Sequence, residues 1–192
     1  MQTATPKRMI IGISGASGVA YGVRLLQLLR NAGVETHLVM SKTAEQTFAY
    51  ETDLKIAVVR ELANVCHPID DMASAISSGS FRTAGMIVAP CSMRSMSEIA
   101  SGATTTLLTR AADVVLKERR RLVLMVRETP LHTGHLRTMT ALSEMGAIIA
   151  PPVPGFYTNP QSVMDIVDHS VERAMDLLGL PLPGARRWGG PQ

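Results

Sequence analysis

Met9-Ile10-Ile11-Gly12-Ile13-Ser14-Gly15-Ala16-Ser17-Gly18-Val19-Ala20-Tyr21-Gly22 is the stretch that decides the fold. Met9 to Ile13 is an apolar run of strand length, of the kind buried on both faces of a sheet. Gly12, Gly15, Gly18 and Gly22 crowd the turn after it, with Ser14 and Ser17 between them. From Val19 the period becomes helical, since Val19, Val23, Leu26 and Leu29 share one face. A strand that passes through a Gly/Ser turn into a helix leaves backbone N–H groups aimed at one spot. Those donors, the serine hydroxyls and the helix dipole favour an anion, most often a phosphate. An ordinary first βα turn of an α/β fold has the same pattern.

Beyond this turn, strands and helices alternate. Gly33 stops the first helix, Val34 to Met40 reads as a second strand, and Ser41 can cap the helix that begins near Lys42. Leu54 to Ala75 is weakly periodic and predicts a short helix with irregular connections. Met86 to Ala89 is a third strand, stopped by Pro90, and Ser92 is another possible helix cap. Helical patterns cover Arg94 to Ser101 and Leu107 to Arg119. Leu122 to Val126 is a fourth strand, Thr133 to Met145 a helix, and Ala147 to Ala150 a short fifth strand. Ser162 to Leu178 is the last helix, with Gly179 as its stop. This order predicts one α/β domain over 1–192: a doubly wound, mainly parallel sheet with helices on both faces. Residues 1–8 read as a flexible lead and 180–192 as an extended tail.

Composition narrows the function classes. Of 192 residues 46% are hydrophobic and only 18% charged, so the chain has a full core and little polar cover. With twelve methionines added, buried subunit interfaces are expected. The net charge of +3 suits small anionic ligands, and no basic stretch interleaved with aromatics points to nucleic acid. Cys66 and Cys91 suggest reduced thiols rather than a disulfide framework or a metal pair. His37, His67, His132, His135 and His169 show no metal-ligand spacing. No apolar run approaches membrane-spanning length, and the lead has no secretory core, so a cytoplasmic protein with no membrane contact is expected.

In such sheets ligands bind beyond the carboxyl ends of the strands. The proposed strands are followed there by Ser14 and Ser17, by Ser41, by Cys91-Ser92-Met93-Arg94-Ser95, by Arg127-Glu128, and by Pro154-Gly155-Phe156-Tyr157. Hydroxyls, guanidiniums, a carboxylate and a phenol thus converge on one rim, which favours a phosphate-bearing ligand. Arg127 and Glu128 come straight off an apolar strand; a salt bridge to a neighbouring helix is the plainer use of them. The run Lys117 to Arg121 reads mostly as a solvated helix end.

Longer blocks carry a family pattern: Gly-Ile-Ser-Gly-Ala-Ser-Gly at 12–18, Met-Ser-Lys at 40–42, Ser-Ser-Gly-Ser-Phe at 77–81 and Pro-Cys-Ser-Met at 90–93. Arg-Ala-Ala-Asp-Val-Val-Leu-Lys-Glu at 110–118, Arg-Glu-Thr-Pro-Leu at 127–131, Pro-Gly-Phe-Tyr at 154–157 and Pro-Gln-Ser at 160–162 complete it. From Met9 to Trp188 the chain resembles the UbiX/Pad1 family of flavin prenyltransferases. The resemblance implies a flavodoxin-like (Rossmann-like) fold and a dodecamer with FMN between subunits. It also implies an enzyme that joins dimethylallyl phosphate to reduced FMN at N5 and C6 without a metal. The product, prenylated FMN, passes to a UbiD-type decarboxylase.

By the same resemblance, Gly15, Ala16, Ser17, Ser41, Ser92, Met93, Arg94, Ser95 and Arg127 contact FMN. Lys117, Glu128, Tyr157 and Arg173 hold the dimethylallyl phosphate, and Trp188 is a tail aromatic near the prenyl group. Lys117, Arg173 and the Tyr157 hydroxyl have the chemistry to stabilise a departing phosphate. Glu128 is placed to give the leaving group its proton, and Glu51, near the flavin, is a candidate base. Thr105 and Thr106 replace the Asn or Asp common in relatives. Two alternatives remain on sequence grounds: an FMN-dependent cysteine decarboxylase of the same fold, and a non-catalytic carrier of FMN or its product. The first carries a Pro-Ala-Ser-Ala-Asn-Thr block where this chain has Pro-Cys-Ser-Met-Arg-Ser; the second has no need of leaving-group machinery.

Overall fold

A computed structural model describes residues 8–180, 185, 188 and 189, so most of the proposed lead and tail lies outside the described residues. The strands are β1 (Arg8–Ile13), β2 (Glu35–Met40), β3 (Val65–His67), β4 (Gly85–Cys91), β5 (Arg121–Val126) and β6 (Ile148–Ile149). The helices are α1 (Val19–Asn31), α2 (Lys42–Glu51), α3 (Ile56–Glu61), α4 (Met93–Ser101), α5 (Leu107–Lys117), α6 (Thr133–Glu144) and α7 (Val163–Leu177). All strand pairs are parallel, in the order β3-β2-β1-β4-β5-β6.

The local signals in the sequence are used as expected. Ser41 and Ser92 accept the backbone N–H of Ala44 and Ser95 and so cap α2 and α4. Thr106 and Ser162 head full capping boxes on α5 and α7. Alternation along β1 sends Met9, Ile11 and Ile13 to a core under α1, α2 and α7, and Ile10 to a second core under α4, α5 and α6. The sheet is therefore covered on both faces, as the apolar strands require.

Three details differ from the sequence reading. The weakly periodic stretch holds α3 and also a sixth strand, β3, a three-residue edge with two exposed positions that carries too short a pattern to declare itself. Pro90 does not end its strand. β4 continues through it to Cys91 with a register shift against β5 between Val88 and Cys91, which accommodates the missing donor. Most of the charged run at 117–121 is exposed, as expected, but two of its arginines are also tied to backbone carbonyls. Arg120 donates to the carbonyls of Phe81 at 2.8 Å and Gly79 at 2.6 Å, and Arg121 donates to that of Leu177 at 2.9 Å.

The strand order reverses at β1, where the chain winds outward to β2 on one side and to β4 on the other. Ser14, fully buried, ties this point together. Its hydroxyl donates to the Pro90 carbonyl at 2.9 Å and accepts from the Ser92 N–H at 2.7 Å. Gly22 lets α1 lie against the same region, since a Cβ there would stand 2.6 Å from the Ala89 carbonyl oxygen and from Ile13 Cδ1. Gly22→Ala is expected to cost about 1–3 kcal/mol by overpacking, with the loss read as a lower denaturant midpoint. An unchanged midpoint would show that α1 is free to shift away.

Candidate active site

A cavity of about 500 Å³ opens at the carboxyl ends of the strands, beside the reversal point. Gly15 reaches it from the β1 turn, Ser41, Lys42 and Thr43 from the start of α2, and Ser92, Met93, Arg94 and Ser95 from the start of α4. Glu128 enters from the end of β5. The sequence reading missed Thr43, Ile69, Asp70 and Glu98, and gave Thr105 and Thr106 no role; these also form the wall. Ser41, read as the cap of α2, was a signal for Thr43; the cap of α5 at Thr106 was not read, and Ile69 and Asp70 come from an irregular connection with no periodic pattern. Gly15 is needed because any Cβ would collide with the side chain of Thr43.

The start of α1 already has an anion, the chain's own Glu51. Its carboxylate accepts the Gly18 N–H at 2.8 Å and the Val19 N–H at 3.1 Å. Burial alone would raise the Glu51 pKa. Bonds from the Ser17 hydroxyl and from the Gly18 and Val19 amides, with the Arg127 charge nearby, outweigh burial and hold it below the usual carboxylate range. Glu51 is thereby held as a carboxylate at the start of α1. The starts of α2 and α4 face the cavity instead, and their first amides have no partner within the helix. Arg94 stands there with its side chain mostly exposed, its Nε 2.9 Å from Glu98 Oε1.

Arg127 and Glu128 leave β5 on opposite faces, as consecutive residues of an extended chain must. Glu128 lines the cavity, and Arg127 turns to the α1 side, where its charge acts on Glu51 and Tyr21. Ala16 and Ser17 sit in the turn between these two groups. A third group lies along α7: the Tyr157 hydroxyl is 2.9 Å from His169 Nε2, and the Tyr157 and Trp188 rings meet edge to face at 5.6 Å. Arg173, one turn beyond His169, lines a cleft of about 190 Å³ with it and pairs with Asp176 at 3.2 Å.

Lys117 is not brought to the rim. It ends α5, whose other end, at Thr106, is at the cavity wall; eleven helical residues span about 16 Å. Its Nζ lies 2.9 Å from Glu118 Oε1, beside Gly79 at the opposite edge of the sheet. Cys91, the last residue of β4, is buried in the second core, which pushes its thiol up to about 12 and leaves it inert as a nucleophile. His132 and His135 have a structural explanation, because His132 Nδ1 accepts the N–H groups of Gly134 and His135 at the start of α6.

A doubly wound parallel sheet whose reversal point opens into a hydroxyl-lined, anion-accepting cavity defines a nucleotide- or flavin-type cofactor protein of the flavodoxin-like class. The family model described as Flavoprotein matches residues 1–175. The flavin prenyltransferase UbiX of Escherichia coli (strain K12) is 57% identical over 187 residues, covering 96% of this chain and 99% of that one. The crystal structure of AnUbiX in complex with FMN and dimethylallyl pyrophosphate superposes with a TM-score of 0.96. It is 50% identical and covers 98% of this chain and 100% of its own. A dodecameric FMN-dependent Ubix-like decarboxylase from Escherichia coli O157:H7 gives a TM-score of 0.93 at 53% identity, covering 95% of this chain and 100% of its own. The chain belongs to the flavoproteins, and within them to the UbiX family of flavin prenyltransferases.

Glu51 makes the first turn testable. Its folded pKa lies below that of the unfolded chain, so the stability it adds is full above the unfolded value, about 4.3, and is lost as pH falls through the folded value. Glu51→Gln is expected to lose about 0.5–1 kcal/mol at pH 7, the small size reflecting solvent screening, with the gap to the parent closing below about pH 4. Denaturation midpoints across pH measure this; a gap that persists unchanged at about pH 3 would contradict it.

Proposed function

We propose that the chain transfers the dimethylallyl group of dimethylallyl phosphate to reduced FMN, releasing phosphate, and passes prenylated FMN to a UbiD-type decarboxylase. The observation that carries the reading is the cavity at the reversal point, with hydroxyls and two helix starts on one side and Glu128 on the other. Its residues suit FMN. About 500 Å³ lies in the range of small-molecule sites, and Ser41, Thr43, Ser92 and Arg94 surround the open starts of α2 and α4, where a phosphate fits. Gly15, Met93 and Ser95 line the same cavity, and Ala16, Ser17 and Arg127, which lie outside its lining on the α1 side, are further proposed cofactor contacts. Reduced FMN supplies the nucleophilic N5 and C6 centres when bound.

The chain's residues then have to loosen an allylic C–O bond and keep water away. Arg173, in the separate cleft along α7, and Tyr157, bonded to His169 of that cleft, hold the phosphate where that cleft meets a cavity in the assembly, and their positive and hydrogen-bonding groups stabilise its growing charge. Glu128 holds the proton that the departing phosphate takes. Trp188 and Tyr157, packed edge to face, offer π-faces to the prenyl group and shield cationic character from water. Glu51 orders the 15–19 turn, balances Arg127 and, as a carboxylate, is the proposed base for the protons that reduced FMN would give up at N5 and C6. The non-catalytic carrier reading is disfavoured by this phosphate-handling set, which a carrier has no use for.

Lys117 can serve the same site only from a second copy, because α5 holds it at the far edge of its own subunit. A homo-oligomer also answers the exposed apolar residues near the site, Val153, Phe156, Tyr157 and Trp188 among them, of which Phe156 is 76% exposed. A dodecamer, the assembly of the relative from Escherichia coli O157:H7, is proposed for this chain. Among the described residues no helix is long and apolar enough to cross a membrane, and a cytoplasmic location is proposed.

The test is anaerobic. Purified protein is mixed with reduced FMN and dimethylallyl phosphate, and the extracted flavin is weighed by mass spectrometry. A gain of one isoprenyl unit is the expected result. Tightly bound but unmodified FMN would overturn the transferase reading in favour of the carrier.

A further inference from the structure

We infer that His169 is a positioning residue that fixes the direction of the Tyr157 hydroxyl, so that its hydrogen is presented to the phosphate of the substrate. The inference rests on the reading that Tyr157 binds that phosphate. His169 stands on the face of α7 that also carries Arg173, one turn further along. Its Nε2 is 2.9 Å from the Tyr157 hydroxyl oxygen, and the two rings meet edge to face at 5.5 Å. The other ring nitrogen, Nδ1, is buried and has no hydrogen-bond partner among the described residues.

The orphan nitrogen selects the tautomer. A buried N–H without an acceptor is rarer and costlier than an unused lone pair. Nδ1 is therefore the bare nitrogen, and the ring proton sits on Nε2, where it donates to the Tyr157 oxygen. A phenol whose oxygen accepts from Nε2 keeps its own hydrogen free to donate elsewhere. Arg173 lies in the same cleft as His169, so an anion held there meets a guanidinium and a directed hydroxyl together.

Gly155 shows that the ring is held and not merely present. A Cβ at this position would lie 2.6 Å from His169 Cε1, 3.0 Å from Nδ1 and 3.2 Å from Tyr157 Cε1. The backbone φ of Gly155 is −94°, open to any residue, so the glycine is required by the closeness of the histidine and tyrosine rings alone. Gly155, Tyr157 and His169 form one packed unit.

The probe is dimethylallyl phosphate, with KM and kcat for prenyl transfer measured beside the FMN dissociation constant. His169→Phe keeps the ring and removes the donor. It is expected to raise KM about tenfold, the equivalent of one charge-assisted hydrogen bond, with FMN affinity unchanged. His169→Gln restores an N–H donor and is expected to recover most of that loss. Adding His169→Phe to Tyr157→Phe should do no further harm. Gly155→Ala, which alters neither partner chemically, should raise KM as His169→Phe does, and the more pliant Gln at 169 should relieve it. A His169→Phe variant with parental KM, or a Gln variant as poor as the Phe one, overturns the inference while Tyr157→Phe still raises KM. If Tyr157→Phe is itself silent, the phosphate reading of Tyr157 falls and the assignment of His169 falls with it.

Discussion

The reversal of strand order at β1 is the constraint on which the rest of the structure depends. Parallel strands joined by right-handed crossovers force the chain to wind one way through β2 and the other way through β4. The connections on the two sides part at the carboxyl edge, and the gap between them has to be lined by something. Buried Ser14 closes the floor of that gap by bonding to both Pro90 and Ser92 across it. The cap of α4 is held by this bonding, and the cap of α2 is tied to the same strand end by the Ser41 N–H, which donates to the Ile13 carbonyl at 3.0 Å. A ligand site here arises from topology before any side chain is chosen.

The electrostatics divide along the same line. Two helix starts on the cavity side remain open, while the third, that of α1, is filled by Glu51. An internal carboxylate at α1 keeps an anionic ligand from settling there and leaves α2 and α4 as the attractive ends. Arg127 faces Glu51 rather than the cavity, and its neighbour Glu128 faces the cavity, so one strand end supplies both groups with opposite orientations. The third group, on α7, stands apart and adds a phenol, an imidazole and a guanidinium.

Much of this was legible in the sequence. The apolar runs, the Gly/Ser turn and the Ser and Thr caps gave the alternating α/β order, and the strand-end residues Gly15, Ser41, Ser92 to Ser95 and Glu128 do line one cavity. β3 was hidden because three half-exposed residues on a sheet edge leave no period. The passage of β4 through Pro90 was hidden because a register shift is a tertiary accommodation. Charge alone could not show that Glu51 fills the start of α1, since only the fold returns the end of α2 to that point. Lys117 carries the same lesson: its spacing on α5 matches a family block, yet helix geometry sets it at the far edge of its own subunit.

That last placement makes the central claim, a site at the carboxyl edge completed by a second copy, open to a direct measurement. Lys117→Ala and Glu128→Gln subunits are expected to be nearly inactive as separate oligomers. Co-expressed, they form mixed oligomers in which some sites unite the intact Glu128 of one copy with the intact Lys117 of another. Prenyl transfer well above that of either parent is the result expected of a shared site. A mixture no more active than its two components would mean that each chain builds its site alone, contrary to the geometry of α5.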